Sequence, residues 1–261
     1  MTREWTIVVC VKQVPDADDV SIDPETGTLN RSDAAAVLNK PDYNAIEAAL
    51  ELREEVGGTV TAITMGPPFA SAVLDTAVAL GADDGILLTD RAFGGSDTWP
   101  TSLALASISK ELDADVVVCG EESTDSSTGQ VPPGMAAHND WAQLTYVEDL
   151  EARPEDEELV ATRDVEGGHE KIAASLPVVV AMEFGANQPR VGGLHRKIYA
   201  ETDFEPEEYS ASDLGIEDRV GLANSPTSVG GMDTADPVPR KKEMVDSVDD
   251  IVDALQEEGL I

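Results

Sequence analysis

The sequence predicts an α/β fold: an open, mostly parallel sheet with helices on both faces. Three observations carry that prediction. The first is Thr6–Val11, a continuous apolar and β-branched run of the kind a strand shows when both its faces are covered. The second is the regular alternation of short strand runs with helical stripes up to about Trp141. The third is the glycine placed after each helical stripe, at Gly57-Gly58 and at Gly81.

The elements follow in order. After Thr6–Val11, a helix is expected over Tyr43–Val56, with Ile46, Ala49, Leu50 and Arg53 on one stripe. Thr59–Thr64 is the next strand, closed by Met65, Gly66, Pro67 and Pro68, and Ala70–Leu80 the next helix. Gly85–Thr89 is a short strand, Pro100–Leu112 a helix, and Asp115–Cys119 a strand that runs into Gly120. Beyond Trp141 the pattern changes. Leu159–Asp164 and Lys171–Ser175 read as a hairpin joined through Glu166, Gly167, Gly168 and His169, and Pro177–Met182 as another buried strand. Residues 201–243 are rich in Pro, Gly and acids and show little periodicity, so an extended arm is expected there. A last helix is capped by Ser247, carries Val248, Ile251, Val252 and Leu255 on one stripe, and stops at Gly259. The expected division is residues 1–200 as one nucleotide-binding domain, hairpin 159–175 included, and residues 201–261 as an arm with a terminal helix that packs on a partner.

Composition narrows the function classes. The 261 residues carry 52 acids against 17 Lys and Arg, a formal charge of −35. Such a surface repels nucleic-acid phosphates and anionic lipid. The acids are spread along the chain, and self-repulsion on that scale suits a salty solvent, where screening is short-ranged; a halophilic source is expected. No apolar run approaches the ~20 residues of a membrane span. The N-terminus enters a strand without an apolar leader, so a cytoplasmic protein is expected. Cys10 and Cys119 lack metal-ligand spacing with His138, His169 or His195 and are expected as packed, reduced thiols.

Ligands of open parallel sheets bind beyond the carboxyl ends of the strands. The richest such end is Gly120–Val131, dense in hydroxyls and leading to a short helix at about Met135–Asn139. Its main-chain amides and Ser126, Ser127 and Thr128 could reach phosphate oxygens. A polar loop capping a helix would carry the same residues, so residue chemistry leaves both readings open. There is no GxxxxGK[ST], no GxGxxG after the first strand, no HExxH and no GxSxG. No catalytic acid, base or nucleophile and no metal site is expected. The chain reads as a holder of something.

The hairpin and the strand after it, from Ala161 through Arg163, Glu166, Gly167, Gly168, Glu170, Ile172 and Pro177 to Ala181, resemble the signature of electron-transfer flavoprotein β subunits, the FixA-like family. Ile7–Asp16, Asn39–Asp42, Leu80–Asp83, Asp125 with Thr128–Val131, and Asn187–Arg190 with Leu194 are similar to that family's landmarks in the same order. The resemblance implies a Rossmann-like domain similar to the adenine-nucleotide α-hydrolase fold. It also implies a heterodimer whose α subunit carries most of an FAD site, with AMP, or a second FAD in bifurcating relatives, on the β subunit. It implies a nucleotide pocket formed by Cys10, Asn39, Lys40, Pro41, Asp42, Met65, Gly120, Asp125, Ser126, Ser127, Thr128, Gly129, Gln130, Val131, Pro132 and Pro133. Leu194 would meet donors of the acyl-CoA dehydrogenase type, as in fatty acid β-oxidation, and electrons would leave to a membrane quinone oxidoreductase. The sequence departs from the family pattern at Lys40, at Glu121-Glu122 and at His195-Arg196-Lys197. A stand-alone nucleotide-binding regulator resembling universal stress proteins is the alternative. An adenylating ligase on a similar fold ranks below it, since Lys12–Pro15 is no pyrophosphate-binding glycine motif.

Overall fold

The computed structural model describes residues 3–16, 21–22, 29–30, 36–228, 244–245 and 247–261. The chain divides into two compact units, Met1–Ser228 and Val229–Ile261. In chain order the strands of the larger unit are β1 (Trp5–Cys10), β2 (Gln13–Pro15), β3 (Ser21–Ile22), β4 (Leu29–Asn30), β5 (Ala36–Leu38), β6 (Gly58–Met65), β7 (Asp84–Leu88), β8 (Val116–Gly120), β9 (Ala142–Arg153), β10 (Glu158–Val165), β11 (Gly168–Ser175), β12 (Val178–Met182) and β13 (Glu207–Tyr209). Its helices are α1 (Lys40–Val56), α2 (Ala72–Leu80), α3 (Thr98–Glu111), α4 (Val131–Asn139) and α5 (Leu194–Thr202).

Nine strands form one sheet in the order β11-β10-β9-β12-β8-β1-β6-β7-β13. Every pairing from β9 to β13 is parallel, and the β9-β10-β11 extension is antiparallel. The central strands read as unbroken apolar runs because both faces are covered: β8 and β12 are buried at every residue. Core residues of α1 and α2, with Ala200 of α5, cover one face. Those of α3 and α4, with Ala211, Ile216 and Val220, cover the other. Successive strands add on opposite sides of β1, β6 and β7 one way and β8 and β12 the other. The switch point therefore lies between the carboxyl ends of β1 and β8, the position where open α/β sheets take ligands.

Several elements differ from the sequence expectation. α1 begins at Lys40 rather than Tyr43, and α4 at Val131 rather than Met135, with prolines in both first turns. Proline tolerates that position because the N–H it lacks has no partner there. β9 has no counterpart in the sequence reading. Its exposed acids alternate with buried Leu144, Val147 and Ala152, one face outward and one inward. Near Tyr146, with φ of 56°, its pairing with β12 shifts, as at a β-bulge, and its pairing with β10 shifts at Glu148.

Residues 201–228, expected as the start of a loose arm, lie on the sheet. β13 pairs with β7, and Phe204 stands where a Cβ on Gly85 would sit, 2.8 Å from its ring tip. Thr227 closes the segment by donating its N–H and hydroxyl to Asp97, each at 2.7 Å. Buried Ala211, Ile216 and Val220 are too sparse to show a period, yet each finds a place among turns. Residues 229–243 of that arm lie outside the described residues. In the smaller unit, α6 (Val248–Glu257) starts with a reciprocal cap between Ser247 and Asp250. Its Val248, Ile251 and Val252 are exposed.

Candidate functional site

The corner at the switch point is built from three chain segments tied by one buried asparagine. Asn39 precedes α1 and is 1% exposed. Its side-chain amide donates to Asp42 Oδ1 at 2.8 Å and to the Glu122 carbonyl at 2.9 Å. Its side-chain oxygen accepts from the Thr124 N–H at 3.0 Å, and its own N–H donates to the Lys12 carbonyl at 2.9 Å. Asp42 accepts in turn from the Lys12 N–H at 2.7 Å. The end of β1, the start of α1 and the loop after β8 are thereby held as one body.

Burial drives the Asp42 carboxyl up to about 7, against the lowering pull of its bonds to Asn39 and Lys12. Gly120 is required here, since a Cβ would stand 2.5 Å from Asp42 Oδ1 and 2.9 Å from Pro41 Cβ. Cys10 is buried, its Sγ 3.9 Å from Met135 Sδ. A hydrogen bond with Cys119, then burial, raises its thiol well above the ordinary range, which keeps it protonated and inert. Met65 and Val131 are half-buried against the same apolar cluster as Cys10, Cys119 and Met135.

The loop itself is a tight turn. Ser126 and Ser127 donate their N–H groups to the Ser123 carbonyl at 3.2 and 2.7 Å, and Ser127 and Gly129 adopt φ of 45° and 60°. Gln130 precedes α4 and accepts from the Gly134 N–H at 3.0 Å. Pro132 and Pro133 remove two donors from the first turn of α4. Among the described residues the N–H groups of Thr128, Gly129 and Val131 have no acceptor. Such a set, at the positive end of a helix, suits a phosphate oxygen. Lys12 Nζ reaches over the same turn, 2.7 and 2.9 Å from the Asp125 carboxylate oxygens and 3.1 Å from Ser123 Oγ.

Of the sequence-predicted site residues, the structure brings Cys10, Asn39, Pro41, Asp42, Met65, Gly120 and the 125–133 loop to one end of the sheet. Lys40, the departure expected to alter the loop, occupies the first position of α1 and is exposed, and the Asn39–Asp42 bond forms beside it. Lys12 was not singled out, although it lies directly after the first strand.

Leu194 lies elsewhere, at the start of α5, and is 75% exposed, with Val191 and Ile198 exposed beside it in sequence. The segment leading to it is anchored on α1. Asn44 donates to the Asn187 carbonyl and side-chain oxygen at 2.9 and 2.8 Å and accepts at its own carbonyl from Asn187 at 3.0 Å. Buried Glu47 receives the Arg190 guanidinium through Nε and Nη2 at 2.9 Å each, and Glu54 takes Nη1 at 2.6 Å. Asn44 and Glu47 were missed, though two polar residues three apart within an alanine-rich stripe are the signal that could have found them.

Two surface depressions of about 210 and 320 Å³ are lined by Glu51, Glu55, Glu148 and Asp149 and by Glu148, Glu183 and Phe184 respectively. Both carry carboxylates, which disfavour a phosphate there. Among the described residues no group of three or more His, Cys, Asp or Glu could hold a metal, and no helix is long and apolar enough to cross a membrane.

Fold and switch point define the class: an open, mostly parallel α/β sheet of the Rossmann type. Residues 26–214 match the family described as the electron transfer flavoprotein domain, and the chain belongs to that family. It is 37% identical to protein FixA of Azotobacter vinelandii over 249 residues, covering 93% of this chain and 88% of that one. It is 41% identical over 224 residues to the electron transfer flavoprotein subunit beta of Thermoanaerobacterium thermosaccharolyticum, with 85% of each chain covered. It is 41% identical over 229 residues to subunit CarD of the caffeyl-CoA reductase-Etf complex of Acetobacterium woodii, again with 85% of each covered. Its role is electron transfer.

Proposed function

We propose that this chain is the β subunit of a heterodimeric electron-transfer flavoprotein and an electron carrier with no bond-making chemistry of its own. The observation that carries the reading is the corner in which Asn39 and Asp42 tie Lys12 and the 122–124 main chain into one frame beside unpaired loop amides. That frame fits the phosphate of AMP, or of a second FAD if the complex bifurcates electrons. FAD, held mostly by an α subunit, supplies the electron-carrying ring system when bound.

This chain's residues position and exclude. Gly120 lets the loop approach α1, Cys10, Met65 and Val131 give an apolar floor, and the loop amides orient the anion. The names of the relatives, a subunit beta and a subunit of an Etf complex, support a heterodimer. Leu194, Val191 and Ile198 would meet a donor of the acyl-CoA dehydrogenase type, and electrons would pass on to a membrane quinone oxidoreductase. The charge of −35 fits a halophilic cytoplasm; a melting temperature equal in molar KCl and dilute buffer would remove that reading.

The test is co-expression with an α-type subunit and extraction of bound cofactors. One flavin and one AMP per 1:1 heterodimer are expected. Two flavins and no AMP would assign the bifurcating form. A chain that stays monomeric and yields no flavin complex would reject the proposal.

A further inference from the structure

We infer that Lys12 is the cation that receives the phosphate of the bound nucleotide, and that it is held for this task by Asp125 until the nucleotide arrives. The inference rests on the nucleotide reading of the corner above and adds to it a residue, a charge and an exchange.

The main chain of Lys12 is fixed on both sides, its N–H on Asp42 and its carbonyl under the Asn39 N–H. The side chain is thus launched from a rigid point at the switch point and laid across the loop. Its ammonium contacts both Asp125 oxygens and Ser123 Oγ, and Ser123 Oγ lies 2.8 Å from Ser126 Oγ. The pair is 45% and 33% exposed at its two side chains. An ion pair so open to water adds little to stability. Its consequence is local: it stations a positive charge over the turn that carries the unpaired Thr128, Gly129 and Val131 amides.

The surroundings require such a charge. The Asp125 carboxylate faces this loop and Glu121 and Glu122 precede it in the chain, so an incoming phosphate meets negative charge there. Loop amides alone are partial charges. Among the described residues Lys12 is the cation that hydrogen-bonds to this loop. Burial works to raise the Asp125 carboxyl, but the Lys12 ammonium and the Ser123 and Ser126 hydroxyls outweigh it and hold it below its ordinary range, so the clasp is charged at neutral pH. A lysine ammonium is a compact point charge with rotatable donors, able to turn from a carboxylate to a phosphate oxygen without moving its backbone. Arginine would pair more rigidly with Asp125 and release it less readily.

Calorimetric titration of the full-length chain at fixed salt tests the exchange, with AMP and adenosine as separate probes. Wild type is expected to bind AMP more tightly than adenosine. Lys12→Met should weaken AMP about tenfold or more, the scale of a lost charged hydrogen bond, and leave adenosine within about twofold. Asp125→Asn, which frees the ammonium, should tighten AMP about threefold, the opposite of what a purely structural clasp predicts. Unchanged AMP affinity in Lys12→Met overturns the inference and leaves the pocket standing, as does wild type that binds AMP no better than adenosine. Equal losses for AMP and adenosine in Lys12→Met, or a loss for AMP in Asp125→Asn, assign the clasp a structural role only and also overturn it. A wild-type chain that binds neither probe rejects the nucleotide pocket itself, and the role of Lys12 with it.

Discussion

The first turns of α1 carry two regions of opposite character. Asn39 and Asp42 hold the loop after β8, and one turn further Asn44 and Glu47 hold the segment that leads to Leu194. Both anchors are buried polar groups with satisfied partners. What they hold differs. The first presents polar atoms, amides and a lysine around a tight turn, the surface proposed above to hold a phosphate. The second presents apolar Val191, Leu194 and Ile198 to solvent, the surface proposed above to meet a donor. One helix thus sets the geometry of both the proposed ligand cradle and the proposed docking patch, and the two should fail independently.

The largest effect is expected from breaking the second anchor. Glu47→Ala removes the buried carboxylate that takes Arg190 Nε and Nη2 and leaves the guanidinium only Glu54, which should cost about 2 kcal/mol, a drop in melting temperature of about 4–8 °C. Nucleotide affinity should be kept, which calorimetry with AMP reads directly; loss of both together would mean that the two regions are one. Adding Arg190→Ala should cost little more, because the pair with exposed Glu54 that remains is open to water.

The first anchor shows itself through pH. Asp42 stands at about 7 in the fold against an ordinary value of 3.8. Between these values the native state holds a proton that the unfolded chain has released. Stability therefore falls as pH rises from about 4 to 7 and levels off above. In Asp42→Asn that slope should flatten when denaturant midpoints are compared at pH 4.5 and 7. An unaltered slope would place the titration elsewhere.

Leu194→Ser should have the smallest effect on stability, within about 0.5 kcal/mol, since the side chain already faces water. Electron transfer from a cognate donor dehydrogenase should nonetheless slow, measured by stopped-flow reduction of the heterodimer. An unchanged rate would remove Leu194 from the docking surface.

The regions also differ in how far they could be read in advance. Thr6–Val11, Thr59–Thr64 and Asp115–Cys119 were legible as strands because burial on both faces leaves a chemical trace in every residue. The loop at Asp125–Val131 was legible as a candidate because hydroxyls and glycine crowd one strand end. Asn39 and Asp42 were reached through a family likeness, but not their bonds to Lys12 and Glu122, which join residues 30 and 83 positions apart. β9 was hidden because its acids mask the alternation. Residues 201–228 were misread as loose because turns and short 3-10 helices have no period.

From the sequence alone follow the α/β class, the order of the central elements, the lack of the common catalytic motifs, and the polar strand end. These are properties of local chemistry and of composition, written into each segment separately. Only the tertiary structure decided that β1 and β8 lie side by side at the switch point, that Lys12 is laid over Asp125, and that Glu47 receives Arg190. Those facts depend on which segments meet, and long-range polar pairing leaves no periodic mark on either partner.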